Sequence, residues 1–295
     1  MSRPIQIISD GSCDLTVEEL NELNVQVIPF NVLFDNEKYL REGIEFTVRE
    51  FYQKLVDNPK LFPKTSLPTT RSYFDKFIEC AKNGYDIVCV SISTKLSGSF
   101  NSAQTAATMT IERYPECKIK VIDSKLITCL QGLLVKEICE MRDKNYSIDE
   151  IEQVANKLKE TGRIFFTVGN LDYLYRGGRI GKLSRLVGAT LRIKPIIVLN
   201  EGELHSNGLC FTRNQSLVKI LKLTNKYFSD NSIDKDQYRF LVGYGYDIEE
   251  GYAFHKKVKE SLEREVEIGQ IGSTIGVHSG PYPMGIAFIQ KHNTI

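Results

Sequence analysis

The sequence predicts an α/β protein in two units, a mostly parallel sheet first and a mixed α/β arrangement after it. Three observations carry this. Apolar, strand-like runs alternate with amphipathic helical stretches through the first half. One of those runs, DIVCVSIS at 86–93, is nearly continuously apolar, as expected of a strand covered on both faces of a parallel sheet. In the second half the strand-like runs come closer together, with fewer helices between them. The units are expected at 1–160 and 161–295.

The elements follow in order. PIQIIS is a short apolar strand that runs into SDGSCDL. Thr16 and Glu19 form a capping-box pattern ahead of Leu20 and Leu23, which starts a helix. VQVIPFNVLF reads as a second strand. TVRE at 47–50 repeats the capping box and opens a helix through Leu55. TSLPTT at 65–70 is a proline-bearing loop. The helix after it places Phe74, Phe77, Ile78 and Ala81 on one face and stops at Gly84. DIVCVSIS then leads into STKLSGS and a helix beginning near NSAQTAATMTIERY. KIKVIDS is a further strand, followed by a helix around Leu133 to Arg142. The polar, helical DKNYSIDEIEQ bridges the two units. RIFFTVGN, RIKPIIVLN, ELHSNGLCF, YRFLVGYG, EVEIGQIG and MGIAFI are the strands of the second. No internal repeat or low-complexity tract interrupts the pattern.

Composition narrows the function classes. The chain has 295 residues, enough for a large core, and a formal net charge of +1. A near-neutral chain has no global field to draw in nucleic acid or an acidic membrane. No apolar run approaches the ~18 residues of a membrane span. MSRPIQIISD lacks the apolar stretch and cleavage site of a signal peptide. The seven cysteines are scattered without a C-x-x-C pair, so reduced, buried thiols of a cytoplasmic protein are expected.

In an α/β sheet ligands sit beyond the C-terminal strand ends, where helices begin. Three loops fit that place: SDGS at 9–12, TSLPTT at 65–70 and STKLSGS at 93–99. The last combines Gly98, which permits close backbone approach, with the free N–H groups of a helix start. Its plain alternative is helix capping by Ser97 or Ser99. Neither a Walker A loop nor a G-x-G-x-x-G fingerprint is present. The hydroxyls of Thr65, Ser66 and Ser97 suit a small anion of low charge, such as a carboxylate, better than a triphosphate. Ser97 also invites a nucleophile reading, with His278 as base. KLSGS is not the G-x-S-x-G elbow, however, and Ile92 stands where an S-x-x-K dyad ending at Lys95 would need serine. Of the four histidines, His278 stands out in a Gly/Pro-rich turn between two apolar strands. His205 and His255 read as surface residues and His292 as part of the tail.

The segment LDYLYRGGRIGKLSRLVGATLRIKPIIVLN carries Arg176, Arg179, Lys182, Arg185, Arg192 and Lys194, with no acid after Asp172. Leu174, Ile180, Leu183, Leu186, Val187 and Leu191 interleave with them. In a neutral chain such local bias reads either as a solvated helix face or as a docking surface for something anionic.

These motifs resemble the DegV family, which includes the fatty-acid-binding subunits of the bacterial fatty acid kinase. The resemblance runs nearly end to end. It rests on SDGSCDL, TSLPTT, ISTKLSGSFNSA, VIDSK, LDYLYRGGRIGKLSRLVGATLRIKPII and GSTIGVHSGPYPMGIAF, in that order. It implies two α/β domains with one long-chain fatty acid in an apolar tunnel between them. It implies that Thr65 and Ser97 hold the carboxylate, with Ser66 and the His278–Gly280 turn completing the head-group shell. It implies that Arg176 and Arg179 lie near the carboxylate end and Arg213 near a surface that meets the partner, and all three are expected to dock that partner, Arg176 and Arg179 mattering more for it than for the ligand. That partner would be a separate ATP-dependent kinase that phosphorylates the bound carboxylate. This chain would then be a non-catalytic cytoplasmic carrier with no cofactor or metal, no nucleic-acid partner and at most transient membrane contact. The sequence departs from the family pattern at Leu67, Leu130, Tyr282, Pro283 and Met284, bulkier residues that would reshape the tunnel or its lid. A Ser97/His278 acyl hydrolase, and a module binding anionic phospholipid or RNA through the basic segment, are the readings from other classes.

Overall fold

The computed structural model describes residues 3–34, 38–186 and 193–295. In chain order the first elements are β1 (Ile5–Asp10), α1 (Val17–Glu22), β2 (Val25–Ile28), β3 (Asn31–Leu33), β4 (Tyr39–Arg41), α2 (Val48–Asp57) and β5 (Lys64–Ser66). Then come α3 (Thr70–Lys82), β6 (Asp86–Ser91), α4 (Ser99–Arg113), β7 (Ile119–Asp123), α5 (Thr128–Asp143) and α6 (Ile148–Thr161). Strands β2-β1-β6-β7 form one all-parallel sheet, and β6 is buried along its whole length. Thr16 and Thr47 each close a capping box with Glu19 and Glu50. The buried face of α3 is Tyr73, Phe77, Cys80 and Ala81, rotated slightly from the stripe expected, so that Phe74 and Ile78 are only half-buried.

The second half holds β8 (Arg163–Thr167), α7 (Asp172–Arg176), a 3₁₀ turn at Gly181–Leu186, β9 (Lys194–Asn200), β10 (Glu203–Cys210), α8 (Arg213–Asp230), β11 (Tyr238–Tyr244), α9 (Ile248–Leu262), β12 (Glu267–Gln270), α10 (Ser273–Ser279) and β13 (Met284–Gln290). Its sheet runs β10-β9-β8-β13-β11-β12, parallel only at β11–β12. Helix α5 is buried on nearly every side, Gln131 and Glu137 included. It packs on β1 of the first sheet and on β11 and β13 of the second. One apolar cluster therefore runs from Ile7 and Val88 through Leu133 and Leu134 to Leu241 and Ala287. Among the described residues no helix is long and apolar enough to cross a membrane.

Three features differ from the sequence expectation. The run VQVIPFNVLF is two strands. Pro29 supplies no N–H for a ladder, and the chain leaves the first sheet there. It enters a small antiparallel sheet β4-β3-β5, which brings Thr65 and Ser66 to the site. His278 lies in the last turn of a seven-residue helix, α10, and the Gly/Pro turn follows it. His292 is 4% exposed, with its Nδ1 2.6 Å from Glu137. Arg239 pairs with both Glu137 and Glu140, so this grouping of a histidine with two acids is an ion-pair network with its charge already met. Six of the seven cysteines are buried and Cys210 is half-buried; all are free thiols.

Candidate functional site

Two of the three loops named from the sequence meet residues of the second half, from Ile164 to Ala287, around one cavity of about 420 Å³. Its wall is mostly apolar, with Phe30, Ile92, Leu96, Ile164, Phe166 and Ile275 among the lining residues. Thr65, Ser66, Ser97, Arg179, His278 and Ser279 also line it. A cavity of this size, apolar with a few convergent polar groups, falls in the ~300–1,000 Å³ range of small-molecule sites.

The hydroxyl-rich stretch 91–99 sorts itself by partner. Ser93 donates to the Gly202 carbonyl at 2.7 Å, and Thr94 donates to Asp123 at 2.7 Å. Ser99 donates to Asp10 at 2.8 Å, and Ser91 is buried. Of these five hydroxyls only Ser97 lines the cavity. Its Oγ accepts from the Ser99 N–H at 3.2 Å, which leaves its own O–H free to donate. Gly98 has φ −81, which any residue adopts. Its use is space, since a Cβ there would lie 3.3 Å from Leu67 Cδ2.

The first loop, SDGS, braces the site from behind. Asp10 is fully buried at the end of β1. It accepts from the Ile92 N–H, from Ser99 Oγ, from Ser12 and from Gln131. It ties β1 to both ends of the loop that carries Ser97. Sequence reasoning missed this role. The signal was there in a charged residue closing a strand that must be buried.

His278 is seated from two sides. Its Nε2 lies 2.9 Å from Thr65 Oγ1, and its Nδ1 is buried without a partner. A Cβ on Gly177 would lie 2.2 Å from that Nδ1, so the first glycine of RGGR is the space in which the ring sits. Gly280 has φ +73, and a Cβ there would meet the Tyr173 ring at 2.6 Å. That turn therefore requires glycine twice over, for backbone conformation and for packing. Burial, aided by the Arg179 guanidinium, pushes the His278 pKa down to about 3. The imidazole is therefore neutral through the physiological range. Ser97 and His278 share the cavity, but the His278 nitrogen that has a partner faces Thr65.

The arginines read together in the sequence occupy different places. Arg179 lines the cavity and donates to the Leu96 and Gly177 carbonyls at 3.2 and 2.7 Å. Arg176 is exposed, its guanidinium 4.1 Å from the centre of the Phe62 ring. Arg213 makes a two-pronged pair with Glu250 at 2.9 and 2.7 Å and donates to the Tyr282 carbonyl, tying α8 to α9. Lys182 pairs with Glu203 and Lys194 donates to the Gly169 carbonyl. Leu174, Ile180 and Leu183 belong to the core. The side chains of Arg185 and Leu186, and Val187, Leu191 and Arg192 entirely, lie outside the described residues. Of the positions where the sequence departs from the family pattern, Leu67 and Pro283 line the cavity. Leu130 and Met284 are buried, and Tyr282 is half-exposed against Gly169.

Comparison with known proteins places this geometry. A family model described as "Uncharacterised protein, DegV family" matches residues 4–291. A DegV domain-containing protein of Clostridium acetobutylicum is 32% identical over 291 residues, which cover 97% of this chain and 99% of that protein. A stearic-acid-binding protein from Eubacterium ventriosum has the same fold, with a TM-score of 0.94 at 41% identity over the whole of both chains. DegV of Bacillus subtilis, a fatty acid binding protein, has a TM-score of 0.85 at 25% identity, covering 98% of this chain and all of its own. With agreement in sequence and fold along nearly its full length, the chain belongs to the DegV family.

Proposed function

We propose that this protein binds one long-chain fatty acid, with the acyl chain in the apolar cavity and the carboxylate among Thr65, Ser66, Ser97 and His278. The observation that carries the reading is the cavity itself, apolar along its wall and lined at the Thr65–His278 contact by hydroxyls and one guanidinium. The fatty-acid-binding relatives from Eubacterium ventriosum and Bacillus subtilis support it. Burying a dozen methylenes at ~0.8 kcal/mol each supplies on the order of 10 kcal/mol gross. Carboxylate desolvation and chain ordering subtract from that. The tail thus supplies most of the affinity and the polar shell sets direction.

The tautomer of His278 follows from this reading. With Nε2–H donating to Thr65 Oγ1, the threonine hydroxyl is free to donate to the carboxylate. The opposite tautomer would consume that donor. The ring thereby orients a hydroxyl and carries no charge of its own. Arg179, on the cavity wall, adds positive potential near the carboxylate, while the exposed Arg176 is suited to a partner. That partner is a separate kinase that uses ATP to convert the bound carboxylate to an acyl phosphate. On this reading units 1–160 and 161–295 contribute the two sides of one binding site in a cytoplasmic carrier, which itself performs no chemistry.

Extraction of the purified protein into organic solvent, followed by mass spectrometry, tests the ligand. A long-chain fatty acid close to one per chain is expected; an extract free of fatty acid, from protein that also fails to take one up, would contradict the reading. Trapping with hydroxylamine tests the transfer, since an acyl phosphate formed with kinase and ATP yields a hydroxamate.

A further inference from the structure

We propose that Ser93 is a positioning residue for the head-group site: its hydroxyl latches the loop that carries Ser97 onto the β9–β10 hairpin of the second half, and so sets where the Ser97 hydroxyl meets the carboxylate. The inference rests on the fatty-acid reading above and names what holds that site in register.

Ser93 follows the end of β6 and is 1% exposed. Each of its polar atoms is engaged. Its N–H donates to the Leu126 carbonyl at 3.0 Å, which ties it to the segment before α5. Its carbonyl accepts from the Leu96 and Ser97 N–H groups at 3.0 and 3.2 Å, so the turn that presents Ser97 closes on this one oxygen. Its Oγ accepts from the Lys95 N–H at 3.2 Å and donates to the Gly202 carbonyl at 2.7 Å. All but the last of these bonds stay within the first half; that one crosses to the second.

The hairpin is shaped to receive it. Asn200 pairs with Glu203, so Glu201 and Gly202 are the whole connection between β9 and β10. Both have positive φ, +49 and +77, the pattern of a type I′ turn. Hairpin tips ordinarily face solvent, yet Gly202 is buried. A Cβ on it would overlap Ser93 Oγ. Glycine is thus required there for the turn and again for the contact.

The latch has cavity wall on both sides. Leu96 and Ser97, just past Ser93, line the cavity, and so does Leu204, two residues past Gly202. Arg179 also reaches this loop from the second half, through Nε to the Leu96 carbonyl at 3.2 Å. A long guanidinium side chain can follow a loop that shifts. A serine hydroxyl bonded to a backbone carbonyl has far less reach, so it fixes the spacing. Ser97 Oγ accepts from the Ser99 N–H, a bond local to the loop that moves with it. The place of the Ser97 hydroxyl in the cavity is therefore set by its backbone, which Ser93 holds.

The test compares wild type, Ser93→Ala, Ser97→Ala and the double variant. Displacement of a fluorescent fatty acid gives affinity, and urea midpoints are measured on the same proteins. Ser93→Ala should weaken binding by about 5-fold, the worth of one hydrogen bond. In the Ser97→Ala background it should weaken binding far less, because its effect runs through that hydroxyl. Its lowering of the urea midpoint should be the same in both backgrounds. Affinity unchanged by Ser93→Ala, or reduced equally with and without the Ser97 hydroxyl, would overturn the proposal and leave Ser93 a folding residue. Glu201→Gln removes the exposed pair with Lys125 at the same turn and should leave affinity unchanged. A loss equal to that of Ser93→Ala would move the effect to the charge of the hairpin and overturn the role of Ser93. Should Ser93→Ala fail to fold, Gly202→Ala breaks the contact from the other side and should weaken binding in the same Ser97-dependent way; unchanged affinity there would likewise overturn it. Wild-type protein that binds no fatty acid would defeat the ligand reading and the latch with it, whereas unaffected variants of a wild type that does bind would defeat the latch alone.

Discussion

Gly177→Ala isolates the seat of His278. Gly177 has φ −74 and ψ −8, a conformation alanine adopts freely, so the substitution carries no backbone penalty. Its cost comes from the added Cβ, which would lie 2.2 Å from His278 Nδ1, 3.0 Å from its Cε1 and 2.9 Å from the Tyr173 carbonyl oxygen. The ring cannot retreat without leaving Thr65. Overpacking of about 1–3 kcal/mol, plus about 1 kcal/mol for the Thr65–His278 hydrogen bond, predicts a loss of roughly 2–4 kcal/mol. Urea denaturation measures it as a lower midpoint at unchanged slope. The same change in a His278→Ala background loses both ring contacts and keeps only the 2.9 Å approach to the Tyr173 carbonyl oxygen. There its cost should be smaller, by the part that the ring contributes. Gly178→Ala is the control. Gly178 has φ +68 with nothing within 4 Å of its would-be Cβ, so it should cost about 1 kcal/mol with or without His278. Equal costs for Gly177→Ala in both backgrounds would refute the steric argument.

Ser97→Ala should weaken fatty-acid retention by ~1.5–3 kcal/mol, since the lost hydroxyl donates to a charged acceptor, and leave the fold intact. Displacement of a fluorescent fatty acid reads this, helped by the absence of tryptophan in the chain. His278 has a folded-state pKa of about 3, below its ordinary value near 6.5. In that window the unfolded state binds the extra proton, so stability is full above about pH 6.5 and falls as pH drops towards 3, by at most ~1.4 kcal/mol per pH unit. Comparing wild type with His278→Gln over this range isolates the contribution, and ligand binding should stay flat from pH 6 to 8. Arg176→Ala should slow acyl-phosphate formation with retention unchanged, whereas Arg179→Ala should impair both; identical phenotypes would return the two to one role.

Much of this was legible in the residues. The buried strand DIVCVSIS, the paired capping boxes and the clustered strands of the second half follow from periodicity and cap chemistry alone. So does the separation of hydroxyls from phosphate-binding glycines. What stayed hidden depended on contacts between segments far apart in the chain. The small sheet β4-β3-β5 is built from three-residue strands, too short to show alternation, and Pro29 was the local sign that one strand was two. The seven-residue α10 is rich in glycine, serine and threonine, which read as a turn. Arg176 and Arg179 are three residues apart, yet one stacks on Phe62 and the other faces the cavity, because Gly177 and Gly178 turn the chain between them. The acid-free composition of that segment concealed that Lys182 finds its acid in Glu203. Asp10 sits in a motif that looks like loop chemistry, and only the packing shows that its carboxylate turns inward.

The most direct test of the central claim is NMR of a long-chain fatty acid carrying ¹³C at its carboxyl carbon, bound to the protein. The account predicts a single bound resonance that does not move between pH 6 and 8, and that shifts in both Thr65→Val and Ser97→Ala. A bound resonance that titrates like the free acid in water, or that is the same in wild type and both variants, would contradict it.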